Sequence, residues 1–166
     1  MALIRFFSVK YRSEICVRKH QENKIAMSKF HLAFKVKDIE STYRFYHKLL
    51  DCKVGRKTDE WIDFDFFGHQ LSAHVSQNIP DLDFCGRVDK VSVPIPHFGC
   101  IVGANDFRKI KGNLLKHGIP FIIAPQTRYK GEKSEQETMF VLDFSNNPIE
   151  FKCFKDEGNI FKNGEQ

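Results

Sequence analysis

No CxxC pair occurs in this chain of 166 residues, and its five cysteines (Cys16, Cys52, Cys85, Cys100 and Cys153) are odd in number and scattered. That pattern excludes a disulfide framework and a thiolate zinc site, and it fits a reducing compartment. Long hydrophobic runs are missing as well. A stretch such as Phe121-Ile122-Ile123-Ala124 is far short of the roughly 18 to 20 apolar residues that cross a bilayer. Nor is there a basic stripe interleaved with aromatics. The formal charge of +5 sits mainly in residues 1–27, where six Lys/Arg face Glu14 and Glu22 for a net +4, leaving +1 for the other 139 residues. A nearly neutral remainder argues against nucleic acid as a partner.

What is present suits a packed interior: 42% hydrophobic and 13% aromatic residues, with 17 phenylalanines, read here as core ahead of cavity lining. One globular domain is expected over residues 28–156, with a polar tail at 157–166. Residues 1–27 run up to Met27-Ser28-Lys29, which looks like a second translation start at Met27. They read as a leader, either disordered or an organelle address, although Glu14 and Glu22 are unusual in a transit peptide. The expected location is the cytoplasm.

Two halves of the globular part read alike. In the first, residues 29–76, Phe30 to Val36 predicts a strand, and Asp38 offers an N-cap to a helix reaching about Asp51. Ile39, Tyr43, Tyr46, Leu49 and Leu50 recur along one face of that helix. Three strands follow, near Lys53 to Lys57, Trp61 to Phe67 and Gln70 to Val75. In the second, residues 95–155, Ile95 to Val102 predicts a strand and Asn105 or Asp106 caps a helix with Phe107, Ile110, Leu114 and Leu115 inward. Gly118 is its stop. Strands are then predicted at Ile119 to Ala124, Thr138 to Phe144 and Pro148 to Phe154, with residues 125–137 as a lid and 77–94 as the link between halves.

Alternation on these strands singles out a few polar residues. Leu71, Ala73 and Val75 form one apolar face, so Gln70, Ser72 and His74 point the other way. Ile149, Phe151 and Cys153 likewise leave Glu150 opposite. His31 and His97 each stand near the start of their half's first strand. If the halves pack as copies, His31, His74, His97 and Glu150 converge on one cavity, a donor set suited to a metal ion. His47, His69 and His117 read as ordinary helix, turn and helix-end residues.

With those residues in view, the sequence resembles the vicinal oxygen chelate superfamily, which includes glyoxalase I, extradiol dioxygenases and the fosfomycin and bleomycin resistance proteins. The likeness is carried by Phe30-His31-Leu32-Ala33-Phe34, the run from Trp61 to Leu71, Pro96-His97-Phe98-Gly99, Lys130-Gly131-Glu132 and Ile149-Glu150-Phe151-Lys152. It is most like the single-domain branch of extradiol-type dioxygenases. The resemblance implies an α+β fold: two βαβββ modules forming a half-open, cup-shaped mixed β-sheet with helices outside. It implies His31, His97 and Glu150 as metal ligands, with His74 at a position where some members supply a fourth. The family turn Asp-Pro-Ser-Gly-Asn is here Asp143-Phe144-Ser145-Asn146-Asn147.

The implied cofactor is a divalent ion, iron(II) favoured and manganese, nickel or zinc as alternatives, acting as Lewis acid and template for a small molecule with two adjacent oxygens. Three protein ligands leave room for a bidentate substrate and dioxygen, which favours ring-cleaving oxygenation. Four favour isomerase, lyase or thiol-transferase chemistry of the glyoxalase kind. A metal-free protein that sequesters a ligand is the reading from a different class. Gln70 and Arg128 are further candidates for substrate contact, and the expected assembly is a homodimer.

Overall fold

The computed structural model describes residues 28–162; the leader read over residues 1–27 and the last four residues of the tail lie outside the described residues. The first module comprises β1 (His31–Val36), α1 (Ile39–Tyr43, continued by a π-helical stretch, Arg44–Leu49), β2 (Lys53–Lys57), β3 (Trp61–Phe66) and β4 (His69–Val75). A small hairpin follows, β5 (Gly86–Val88) and β6 (Val91–Val93). The second module is β7 (Phe98–Ile101), α2 (Ala104–Lys116), β8 (Phe121–Arg128), β9 (Gln136–Leu142) and β10 (Pro148–Phe154). The βαβββ order of each half is the one the periodicity predicts, and the α+β class is the one the resemblance implies.

Local chemistry sets the boundaries. Asp38 caps α1 by accepting the Ser41 N–H at 2.7 Å. Gly118, at φ +66°, ends α2 by donating its N–H to Leu115. At the start of α2 the cap is Gly103 rather than Asn105 or Asp106. Asp106 lies in the first turn, where its charge suits the helix dipole. β7 begins at Phe98 and not Ile95, because Pro94 and Pro96 have no N–H to give a ladder.

Each module forms a four-stranded sheet, ordered β1-β4-β3-β2 and β7-β10-β9-β8. In each, the first strand pairs parallel to the last, the arrangement a helical crossover permits, and the other pairs are antiparallel. The same face of both sheets enters one core. Ile62, Phe64, Phe66, Leu71 and Ala73 from the first module meet Met139, Val141, Ile149 and Phe151 from the second, with Phe45, Tyr46, Phe107 and Leu114 from the helices. The Phe66 and Phe151 rings lie 6.1 Å apart. Two strands so far inside their own sheets touch only if the core-facing sides of the sheets lie against each other, so the opposite, open faces look away from one another.

The turn after β9 ties the modules together. Asp143 is buried and accepts four donors: the Ser145 and Asn147 N–H groups at 2.8 Å, Asn147 Nδ2 at 2.9 Å and the Tyr46 hydroxyl of the first module at 3.1 Å. Asn147 Nδ2 also donates to the Lys35 carbonyl, and Ser145 Oγ accepts the Lys37 N–H. Asn146 takes the left-handed conformation at φ +65° that glycine usually supplies.

Two stretches differ from expectation. The predicted lid over residues 125–137 is sheet at both ends: Gln126, Thr127 and Arg128 pair with Thr138, Glu137 and Gln136, which leaves residues 129–135 as the connection between the strands. The link over residues 77–94 contains the β5–β6 hairpin, whose Val88, Val91 and Val93 pack on Ile123 and Phe140. Both differences have one cause. Cross-strand pairing holds polar side chains in strands that composition alone reads as loop.

A divided candidate metal centre

Register assigns the open faces. In the first sheet His31 pairs with Gln70 and Ala33 with Ser72, while Asp63 lies opposite Ser72 and Trp61 opposite His74. His31, Gln70, Ser72, Asp63, Trp61 and His74 therefore share the face turned from the core. In the second, Glu150 lies opposite Gly99 and Phe140, and Lys152 opposite Thr138. Gly99 is required there. A Cβ at that position would run into the Glu150 backbone carbonyl.

On the second sheet two of the predicted ligands meet. His97 Nε2 is 3.3 Å from Glu150 Oε2. Its other ring nitrogen, Nδ1, is 2.7 Å from the Pro94 carbonyl, which can only accept, so Nδ1 carries the hydrogen. When the ring is neutral its Nε2 lone pair points at a carboxylate oxygen, and when it is protonated Nε2 donates to that oxygen. Two acceptors in that relation need a proton or a cation between them. Glu150 is 7% exposed and its other oxygen accepts the Thr138 hydroxyl at 2.6 Å. Lys152 Nζ lies 3.0 Å from Oε2. Burial pushes the Glu150 carboxyl up, but the donors His97, Thr138 and Lys152 outweigh it and hold the group below its ordinary value. The hydrogen bond to Glu150 raises the His97 imidazole above its own, against burial.

His31 does not join them within one chain. It lines a cavity of about 390 Å³ with Arg56, Asp63 and Gln70, whereas His97 and Glu150 line another of about 230 Å³. Among the described residues no three His, Cys, Asp or Glu side chains gather closely enough to hold a metal ion. The expected convergence on one cavity fails in the single chain because the sheets share a core through one face and carry these residues on the other.

His74 also needs correcting. Pro148 precedes Ile149, which pairs with Phe98, so His97 stands to Pro148 as His31 stands to Gln70. Counting along, Ser72 is the counterpart of Glu150, and His74 is the counterpart of Lys152. A two-residue slip keeps the face but moves the side chain roughly 7 Å along the strand. There His74 stacks with Trp61, the ring centres 6.3 Å apart. Arg128 is buried on β8, its Nη2 without a partner, and Gln136 Oε1 beside it is likewise unpaired. Its row lies four residues, roughly 13 Å, along β9 from that of Glu150. Thr138, Lys152, Asp63 and Arg56 were not singled out by sequence. The signal for Asp63 was present: an acid in the alternating run Trp61-Ile62-Asp63-Phe64, with a serine nine residues on.

Paired βαβββ modules with an imidazole and a carboxylate at the open face of the second define a vicinal oxygen chelate fold. A glyoxalase/bleomycin resistance protein/dioxygenase from Alicyclobacillus acidocaldarius is 33% identical, matching 81% of this chain and 96% of its own, with a TM-score of 0.67. The chain belongs to that family. The fosfomycin resistance protein of Listeria monocytogenes (14% identity, 81% and 97% covered, TM-score 0.59) and lactoylglutathione lyase of Agrobacterium tumefaciens (13%, 78% and 96%, 0.54) share the fold. No family profile and no curated protein matches the sequence. Among the described residues no helix is long and apolar enough to cross a membrane.

Proposed function

We propose that the protein is a metal-dependent enzyme whose ion is held by His97 and Glu150 of one copy and His31 of a second, in a homodimer with two such sites. The carrying observation is the His97 Nε2 to Glu150 Oε2 approach at 3.3 Å with Nδ1 already committed to Pro94. A nitrogen lone pair and a carboxylate oxygen in that relation suit a divalent ion of the iron, manganese, nickel or zinc type, iron(II) favoured. Such an ion supplies Lewis acidity and open positions for two adjacent oxygens of a small molecule. Gln70, beside His31, faces the same space. The four described cysteines are free thiols, as a cytoplasmic setting requires.

Ser72 at the counterpart of Glu150 leaves three protein ligands. Three supports an extradiol-type dioxygenase ahead of a glyoxalase-like isomerase, lyase or thiol transferase. A metal-free, ligand-sequestering protein is favoured by one contact, Lys152 Nζ on Glu150, which already balances the carboxylate. Metal analysis after anaerobic reconstitution tests the proposal. We expect about one ion per chain, and less than about 0.1 with every one of the four metals overturns it. Oxygen uptake with catechols, against thiol-adduct turnover, separates the two enzyme classes.

A further inference from the structure

The open face of the first sheet carries a cation that the ligand set leaves unused. β2 and β3 pair with one extra residue on β2: Val54 lies opposite Phe64 and Lys57 opposite Ile62, three steps against two. Such a bulge re-aims a side chain, and here it turns Arg56 over Asp63. Arg56 Nε and Nη2 both donate to Asp63 Oδ2 at 3.0 Å. The guanidinium lies 5.2 Å from the centre of the Trp61 ring. Gly55 leaves the space, since a Cβ there would come within 3.2 Å of that of Asp63.

Asp63 is 4% exposed and accepts from Ser72 Oγ at 2.5 Å and Gln70 Nε2 at 3.3 Å as well. A buried carboxylate with this many donors fixes the groups around it. Arg56 itself stays 75% exposed, and it lines the cavity of about 390 Å³ that His31 and Gln70 also line. A surface arginine ordinarily swings freely. This one is pinned by an indole and, through Nε and Nη2, by a carboxylate, which leaves the Nη1 and second Nη2 hydrogens as a fork without a protein partner among the described residues, on a side chain that lines the cavity of a proposed ligand.

We infer that Arg56 binds a carboxylate of the substrate, so that the molecule held at this site is a small organic acid bearing its two adjacent oxygens at the end away from the acid group. This rests on the metal reading for the adjacent oxygens, and on the first module alone for the acid. Guanidinium and carboxylate match as a planar, two-bond pair.

The test uses Trp61, the chain's single tryptophan, as a fluorescent reporter, with benzoate, catechol and 3,4-dihydroxybenzoate as probes on the full chain. In metal-free protein benzoate should bind more tightly than catechol, and after zinc loading 3,4-dihydroxybenzoate should exceed catechol. Arg56→Met should weaken both acids about tenfold to a hundredfold and leave catechol within about twofold, the scale of one lost charge-assisted pair. Arg56→Lys should recover part of the loss, and unchanged thermal unfolding excludes a folding defect. Equal binding of acid and non-acid probes, or a preference that survives Arg56→Met, overturns the inference. Zinc content of the same samples is scored separately: absent metal with an intact benzoate preference sinks the metal reading and keeps this one, while bound metal without the preference does the reverse.

Discussion

Mixing two chains that are each unable to hold the metal should restore it, because every proposed site draws on two copies. In a symmetric dimer, one site has His31 of the first chain with His97 and Glu150 of the second, and the other site is the reverse. A His31→Ala homodimer lacks the first-sheet ligand in both sites, and a Glu150→Ala homodimer lacks the carboxylate in both. A mixed dimer is different. One of its sites combines both lesions, and the other takes His31 from the Glu150→Ala chain and His97 and Glu150 from the His31→Ala chain, so it is intact. Random exchange makes about half the dimers mixed, each with one good site in two, and bound metal should return to about a quarter of the wild-type content. A mixed dimer purified through two different tags should reach about half. The measurement is metal content by elemental analysis after desalting, with sedimentation confirming the dimer. If wild type holds metal, each variant homodimer does not, and the tagged mixed dimer stays at background, sites do not form between copies and the geometry proposed here is wrong.

Three other outcomes follow from the packing. Gly99→Ala places a methyl against the Glu150 carbonyl, which belongs to the backbone of the central strand and has nowhere to go. It should cost about 2 to 4 kcal/mol in urea unfolding, and a cost under about 0.5 kcal/mol would mean β7 does not lie as described. Tyr46→Phe removes one donor from Asp143 Oδ2, which Asn147 still serves. A loss of about 1 kcal/mol is expected, against about 3 for Asp143→Ala, which strands several buried donors. Asp63 is pushed up by burial, yet Ser72, Arg56 and Gln70 hold its carboxyl below the ordinary 3.8. The unfolded chain thus takes up that proton first, so its contribution is full above that value and disappears as pH falls through the lower, folded one. The thermal-stability gap between wild type and Asp63→Asn should therefore hold steady down to about pH 5 and narrow below about pH 4, and a gap that widened on acidification would contradict the assignment.

How much of this was legible in the chain varied with the kind of information needed. The helices and most strands follow from local rules: Asp38 and Gly118 mark ends, and Ile149-Glu150-Phe151-Lys152 alternates. The likeness of His31 and His97 survives because both precede matched runs. Register did not survive as well. Gln70, Ser72 and His74 share a face, and alternation cannot rank residues two apart, so His74 stood in for Ser72 as the partner position of Glu150. Only the pairing of His31 with Gln70 and Phe98 with Ile149 fixes the count. The β5–β6 hairpin, with strands of three residues, gives no period to read.

How the modules face each other was the least legible feature, and it decides the site. Each sheet has an apolar face and a polar one, so alternation allows either pairing. What selects the observed one is aromatic bulk. Phe34 meets Phe98 at 5.2 Å, Phe66 meets Phe98 at 6.2 Å and Phe151 at 6.1 Å, and Phe67 meets Phe151 at 6.0 Å. Tyr46 stacks on Phe64 behind them. Burying such rings favours closing core face on core face within the chain by several kcal/mol. The same closure turns His31 one way and Glu150 the other, so a chain with this core leaves each half of the proposed centre open to a partner copy. The phenylalanines that could have been taken for the lining of a cavity are thereby the reason that the proposed site draws on two chains.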